Sequence, residues 1–145
     1  MQTENINHKA LNDTYKNAHI ALQSISDLLP DVNDDDLKEE LKTEYEGYEN
    51  IMSELNAYME ENDIERKDIN FFKKAMLWSS IKMKTLVDDS RNQIADMMIN
   101  GTVMGINELT AMKNEGKNFD PKVTEFIQKL LTLEESYEKR LRKFL

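Results

Sequence analysis

Apolar residues recur along this chain in steps of four and three, the spacing that keeps one face of an α-helix buried along a bundle axis. From about 6 to 29 the stripe is Leu11, Tyr15, Ala18, Leu22, Ile25 and Leu29. Pro30 closes it by withholding a backbone donor and disfavouring helical geometry at Leu29. A second stripe, Leu37, Leu41, Tyr45, Tyr48, Met52, Leu55 and Met59, predicts a helix over about 34–62. It begins in an acidic turn, where Asp36 with Glu39 reads as a capping box and Asp34 is an equal candidate. Either acid sits at the positive end of the helix dipole. A third helix, over about 81–115, carries Met83, Val87, Ser90, Ile94, Met97, Gly101, Met104 and Glu108 on one side. Gly116 is placed to close it in the left-handed conformation. Asp120-Pro121 supplies a cap and a first-turn proline for a fourth helix over about 121–144. Its stripe is Val123, Phe126, Leu130, Leu133 or Glu134, Tyr137, Leu141 and Phe144.

Helices of roughly 24 to 33 residues are about 35 to 50 Å long, so they must lie nearly parallel in one bundle. Short turns make the first and second helices one antiparallel pair, and the third and fourth another. The stretch 63–80 differs. It is polar to Asn70, and Phe71-Phe72-Lys73-Lys74-Ala75-Met76-Leu77-Trp78 then reads as a short apolar helix broken near Ser79-Ser80. An up-down hairpin needs only about 2–8 residues, whereas this connection can run the bundle's length. The expected fold is therefore all-α, a ferritin-like four-helix bundle: two antiparallel pairs joined by a long crossover containing a short helix, in one domain over 1–145.

Composition narrows the function. The 145 residues hold no cysteine, which excludes disulfides, thiolate zinc sites and cysteine nucleophiles. Against 28 acids stand 19 bases, a net charge of −9 that argues against nucleic-acid and anionic-membrane partners. No apolar run approaches the ~18 residues of a spanning helix, and the start MQTENINHKA lacks a signal-peptide core. A cytoplasmic protein without membrane insertion is expected. The acidic run from Asp31 to Glu65 reads as a solvated face. No phosphate loop and no nucleophile elbow occurs.

Three stretches form a distinctive set: Ser26-Asp27-Leu28-Leu29-Pro30, Met76-Leu77-Trp78-Ser79-Ser80, and Val87-Asp88-Asp89-Ser90 leading to the run from Ile94 through Gly101 and Gly105 to Ile106. With them the chain resembles, over nearly its whole length, the uncharacterised ferritin-like four-helix proteins of Gram-positive anaerobes. The wider ferritin-like superfamily oxidises or stores metal at a di-iron site, and the residues here must meet that expectation themselves. Such a site takes a Glu from each of two helices and a Glu-x-x-His from each of the other two. Neither Glu-x-x-His is present. The second helix offers Tyr45-x-x-Tyr48 or Glu46-x-x-Glu49, and the fourth Glu134-x-x-Tyr137 or Glu135-x-x-Glu138. The third offers only Asp89-x-x-Asn92, and both histidines, His8 and His19, fall on the first helix. A residual metal site for iron or manganese would use Glu44, Glu134 and His19, each beside a core stripe. The preferred reading is that each carboxylate instead accepts a hydrogen bond from a core tyrosine. Asp31-x-Asn33-x-Asp35 imitates a calcium loop but has Asp36 where glycine is required and Lys42 where glutamate is.

Met97, Met98, Met104 and Met112 read as core filler rather than a Cu(I) cluster. Gly101-x-x-x-Gly105 lacks the apolar span of a membrane dimer motif. Each mid-helix glycine costs about 1 kcal/mol against alanine, so close helix approach is expected, with a ligand gap the alternative. The first-ranked function is a non-catalytic interaction or structural protein with a degenerate ferritin-type metal site and no cofactor. It would self-associate, as a homodimer through the third helix, or bind another protein. The alternatives are a metal-binding protein with an atypical carboxylate site, and a small-ligand or lipid carrier using a methionine-lined gap.

Overall fold

Pro30 ends the first helix less abruptly than the sequence implies. Helix α1 (Gln2–Leu28) tightens into a 3-10 turn over Leu29–Asp31, which accommodates the proline because its first residues need no donor. Extended backbone begins only at Val32, whose N–H closes on the Leu29 carbonyl at 3.2 Å. Of the two candidate caps, Asp34 is the one used: its carboxylate accepts the Leu37 N–H at 2.9 Å and opens α2 (Asp35–Glu61). The computed structural model describes residues 2–66, 90–115 and 118–145. The expected crossover helix at 71–78, the start of the third helix at 81 and the Gly116 cap all lie outside the described residues. Helix α3 (Arg91–Glu115) begins with Ser90 outside it, and α4 (Pro121–Leu141) ends in a 3-10 turn over Arg142–Phe144. Asp120 precedes Pro121 as expected, but its side chain makes no capping bond. No strand occurs among the described residues.

Side-chain pairs fix the helix directions. Across α2 and α4, Glu40 meets Arg140, Tyr48 meets Glu134, and Glu54 meets Lys129, so these helices are antiparallel. Asn7 on α1 accepts the Asp120 N–H at the start of α4, while Asn17 and Glu134 both face Gly105, so α1 and α4 run the same way. Thr14 touches Met112 and Asn17 touches Gly105, which makes α3 antiparallel to α1. Arg91 reaches the α2 cap Asp34 at 3.7 Å. Helices α2 and α3 are therefore parallel, with the end of α2 and the start of α3 at opposite ends of the bundle. Helices α1 and α4 each pack against the other three, and α2 and α3 form the diagonal pair.

The core follows the expected stripes on α1, α2 and α4, with one-residue rotations. On α2 the fully buried positions include Glu44 and Ile51, while Tyr45 and Met52 lie at the margin. On α4 the choice between Leu133 and Glu134 falls on Glu134. The α3 stripe is corrected in part: Ile94 is buried and Met97 packs against the core, but the rest of the buried face lies to one side of the expected line. Its buried face is Ile94, Ala95, Met98, Ile99, Thr102 and Leu109, whereas Gly101 and Glu108 are exposed and Met104 is 51% exposed. Apolar residues spread over a wide arc of this helix, from Met104 round to Ile99, so spacing alone selects one flank of it. No helix among the described residues is long and apolar enough to cross a membrane.

Candidate functional site

Four helices contribute polar side chains to one layer of the core. Glu134 on α4 is 1% exposed, and its Oε2 accepts the Tyr48 hydroxyl from α2 at 3.3 Å. One turn before Tyr48, Glu44 is completely buried, and neither of its oxygens meets a donor. Tyr137, three residues after Glu134, sets its ring edge-on to Tyr48 with centroids 5.4 Å apart. Asn17 enters from α1. Its Nδ2 donates to the Gly105 carbonyl at 3.1 Å and to Glu108 Oε2 at 3.3 Å, both on α3.

Two glycines make room for this layer. A Cβ on Gly47 would run into the Tyr137 hydroxyl, and would lie 3.1 Å from Cζ. A Cβ on Gly105 would meet Glu134 Oε1 at 2.8 Å, Oε2 at 3.1 Å and Asn17 Oδ1 at 3.3 Å. Close approach, expected of Gly101 and Gly105 together, therefore belongs to Gly105 alone: nothing among the described residues comes within 4 Å of a Cβ placed on Gly101.

Burial sets the charge state. Removal from water disfavours a carboxylate and holds Glu134 up to about 8 from its ordinary 4.5, with the Glu108 charge adding to the rise and the Tyr48 hydrogen bond opposing it. Glu44 is pushed up to about 10, first by burial and then by Glu40 one turn earlier. The Arg140 guanidinium spends both its contacts on Glu40 Oε1, at 2.8 and 3.0 Å, leaving Glu40 Oε2 buried without a donor. A protonated Glu44 donating to Glu40 resolves the mismatch between these acceptors. Burial also raises both tyrosines, Tyr137 to about 12 and Tyr48 well above its usual range. At neutral pH the layer holds hydroxyls and neutral carboxyls in place of a charged cluster.

Glu44 and Glu134 are thus brought to one layer, both within electrostatic reach of Tyr48. His19 follows Asn17 by two residues, about 200° further round α1. It is half-buried and stacks on Tyr15 with ring centroids 6.3 Å apart, where burial lowers its pKa. Among the described residues no three His, Asp or Glu side chains form a group that could hold a metal ion. A di-iron centre does not fit this arrangement. Imidazole is missing from the layer, and Tyr48 places a hydroxyl proton on the carboxylate that would have to bridge.

Several residues of the layer escape a reading by spacing. Asn17, 5% exposed, is polar on a core face, Gly47 is a glycine inside a helix, and Glu108 looks like a stripe position. Only Gly105 carried a usable signal, the cost of a mid-helix glycine. Asn7 and Asn12 are comparable, at 6% and 5% exposed. Asn7 accepts the Asp120 N–H at 3.0 Å, and Asn12 donates to the Glu65 carbonyl at 3.1 Å, so three buried asparagines tie α1 to three other parts of the chain. Searches against family models, curated proteins and solved structures gave no match to this chain.

Proposed function

We propose that this chain is a non-catalytic bundle of ferritin-like topology whose inner polar layer has exchanged an oxygen-reactive metal centre for protons. The observation that carries the reading is the Tyr48 hydroxyl on Glu134, with Glu44 one turn away and both carboxyls kept neutral by burial. The parallel direction of α2 and α3, which leaves their joined ends at opposite ends of the bundle, supports the crossover topology. On this reading the layer fixes helix register, since every mispacked neighbour strands a buried polar group. The protein's role is then an interaction or structural one in the cytoplasm, through self-association or a protein partner.

Aerobic oxidation of added Fe2+ tests it. The purified protein is expected to oxidise iron no faster than buffer does. Catalysed oxidation that disappears in Glu44→Ala or Glu134→Ala would replace this reading with that of an atypical carboxylate ferroxidase. Sedimentation analysis tests self-association: a concentration-independent monomer rules it out.

A further inference from the structure

Two buried oxygens meet beside Gly105 with no donor between them. Glu134 Oε1 on α4 and Asn17 Oδ1 on α1 both lie against the space a Cβ on Gly105 would fill, at 2.8 and 3.3 Å from that point. Neither has a hydrogen-bond partner, and their residues are 1% and 5% exposed, so bulk water does not serve them. Reversing the Asn17 amide is no remedy. Its Nδ2 faces the Gly105 carbonyl at 3.1 Å and the Glu108 carboxylate at 3.3 Å, groups that only accept. The remaining source of a donor is the proton of Glu134 itself. Oε2 already accepts the Tyr48 hydroxyl, so the carboxyl proton falls to Oε1, the end beside Asn17.

We propose that Glu134 and Asn17 form a proton-operated latch: Oε1–H donates to Asn17 Oδ1 and holds α1 to α4, and loss of that proton releases the pair. The latch rests on the non-catalytic, proton-holding reading of the layer. It completes one directed chain of donors through all four helices, from the Tyr48 hydroxyl on α2 to Glu134 on α4, on to Asn17 on α1, and out to Gly105 and Glu108 on α3. Because each link is fixed in direction, ionisation of Glu134 cannot be answered by turning a neighbour round. It leaves two buried acceptors facing one another, each without a partner. The groups around Glu134 set when this happens. Tyr48 from α2 donates and favours the ionised form, while Glu108 from α3 is a like charge and opposes it. Glu44, one turn before Tyr48, is itself held neutral by burial, and among the described residues α1 presents the uncharged Asn17. Burial outweighs the rest and puts the midpoint at about 8, so the latch is closed at neutral pH and opens in mild alkali.

A double-mutant cycle between positions 17 and 134 tests the latch, with urea unfolding of the parent, Asn17→Ala, Glu134→Ala and the double variant at pH 7 and pH 9. At pH 7 the pair is expected to favour folding by about fivefold in the unfolding equilibrium, the worth of one ordinary hydrogen bond, and at pH 9 to lose that advantage. The same cycle built on Glu134→Gln, whose amide donates without titrating, should keep the advantage at both. A pair that does not favour folding at pH 7, or whose advantage is unchanged at pH 9, overturns the proposal. Should an alanine variant fail to fold, the parent and Glu134→Gln suffice. Hydrogen exchange, corrected for intrinsic rates, should show α1 amides around Asn17 losing protection between pH 7 and pH 9 ahead of α2 in the parent, and not in Glu134→Gln. Equal loss through all helices, or none, overturns the latch. Iron oxidation is a separate readout, so failure here is distinguishable from failure of the non-catalytic reading.

Discussion

Replacing Glu134 by glutamine isolates the energetic consequence of a carboxyl buried in the bundle. In the unfolded chain this group ionises near 4.5, while in the folded protein it holds its proton to about 8. An acid whose folded pKa is raised binds more protons folded than unfolded. The contribution of Glu134 to stability is therefore greatest below about 4.5, falls as pH climbs to about 8, and levels beyond. At pH 7 the chain is two and a half pH units into that fall, at about 1.4 kcal/mol per unit, a loss of about 3 kcal/mol. Glutamine is neutral in both states. It keeps an oxygen for the Tyr48 hydroxyl and turns an amide N–H toward Asn17 Oδ1, which has no donor. Glu134→Gln should therefore be more stable than the parent by up to about 3 kcal/mol at pH 7, and by less than about 1 kcal/mol at pH 5. That is a large fraction of a domain stability of about 5–15 kcal/mol. Urea unfolding of both proteins between pH 5 and 8, with a chelator present to exclude cation effects, measures the difference. A difference that does not grow with pH, or a glutamine variant less stable at neutral pH, refutes the reasoning.

Glu44→Gln should stabilise in the same direction, but its advantage should keep growing above pH 8, because Glu44 holds its proton to about 10; calorimetric melts at pH 7, 8 and 9 check this. Gly47→Ala drives a methyl into the Tyr137 hydroxyl and should cost about 1–3 kcal/mol. Tyr137→Phe in the same chain should recover most of that loss, as a double-mutant cycle by chemical denaturation would show. Asn7→Ala removes the acceptor of the Asp120 N–H and should cost about 1–3 kcal/mol, with faster hydrogen exchange at the Asp120 amide as its local signature.

Element positions were legible because α1, α2 and α4 keep apolar residues on one side and acids or bases on the other. On helix α3 the buried face was misplaced, since Met97, Gly101 and Met104 continue the line from Ile94 along one flank, while burial follows Met98, Thr102 and Leu109 on the other. Leu133 and Glu134 fit the same spacing, and the core takes the acid because Tyr48 arrives from α2 to hydrogen-bond it. Glu44 was visible as a flank of its stripe, and burial decides its chemistry. The asparagines were illegible for a general reason. An amide belongs in a core only where a backbone group from a distant segment meets it, as the Gly105 carbonyl meets Asn17 and the Glu65 carbonyl meets Asn12. Gly47 is similar: the ring that needs its missing Cβ lies on α4, ninety residues away.

Protons reside in the middle of the bundle at neutral pH, on Glu134 and Glu44. Carbon-detected NMR titration of the glutamate side-chain carboxyls reads them directly. Two resonances, from Glu134 and Glu44, should remain in the protonated position at pH 7 and move only with midpoints of about 8 and about 10. Every glutamate carboxyl reaching its ionised position by pH 6 would contradict that placement.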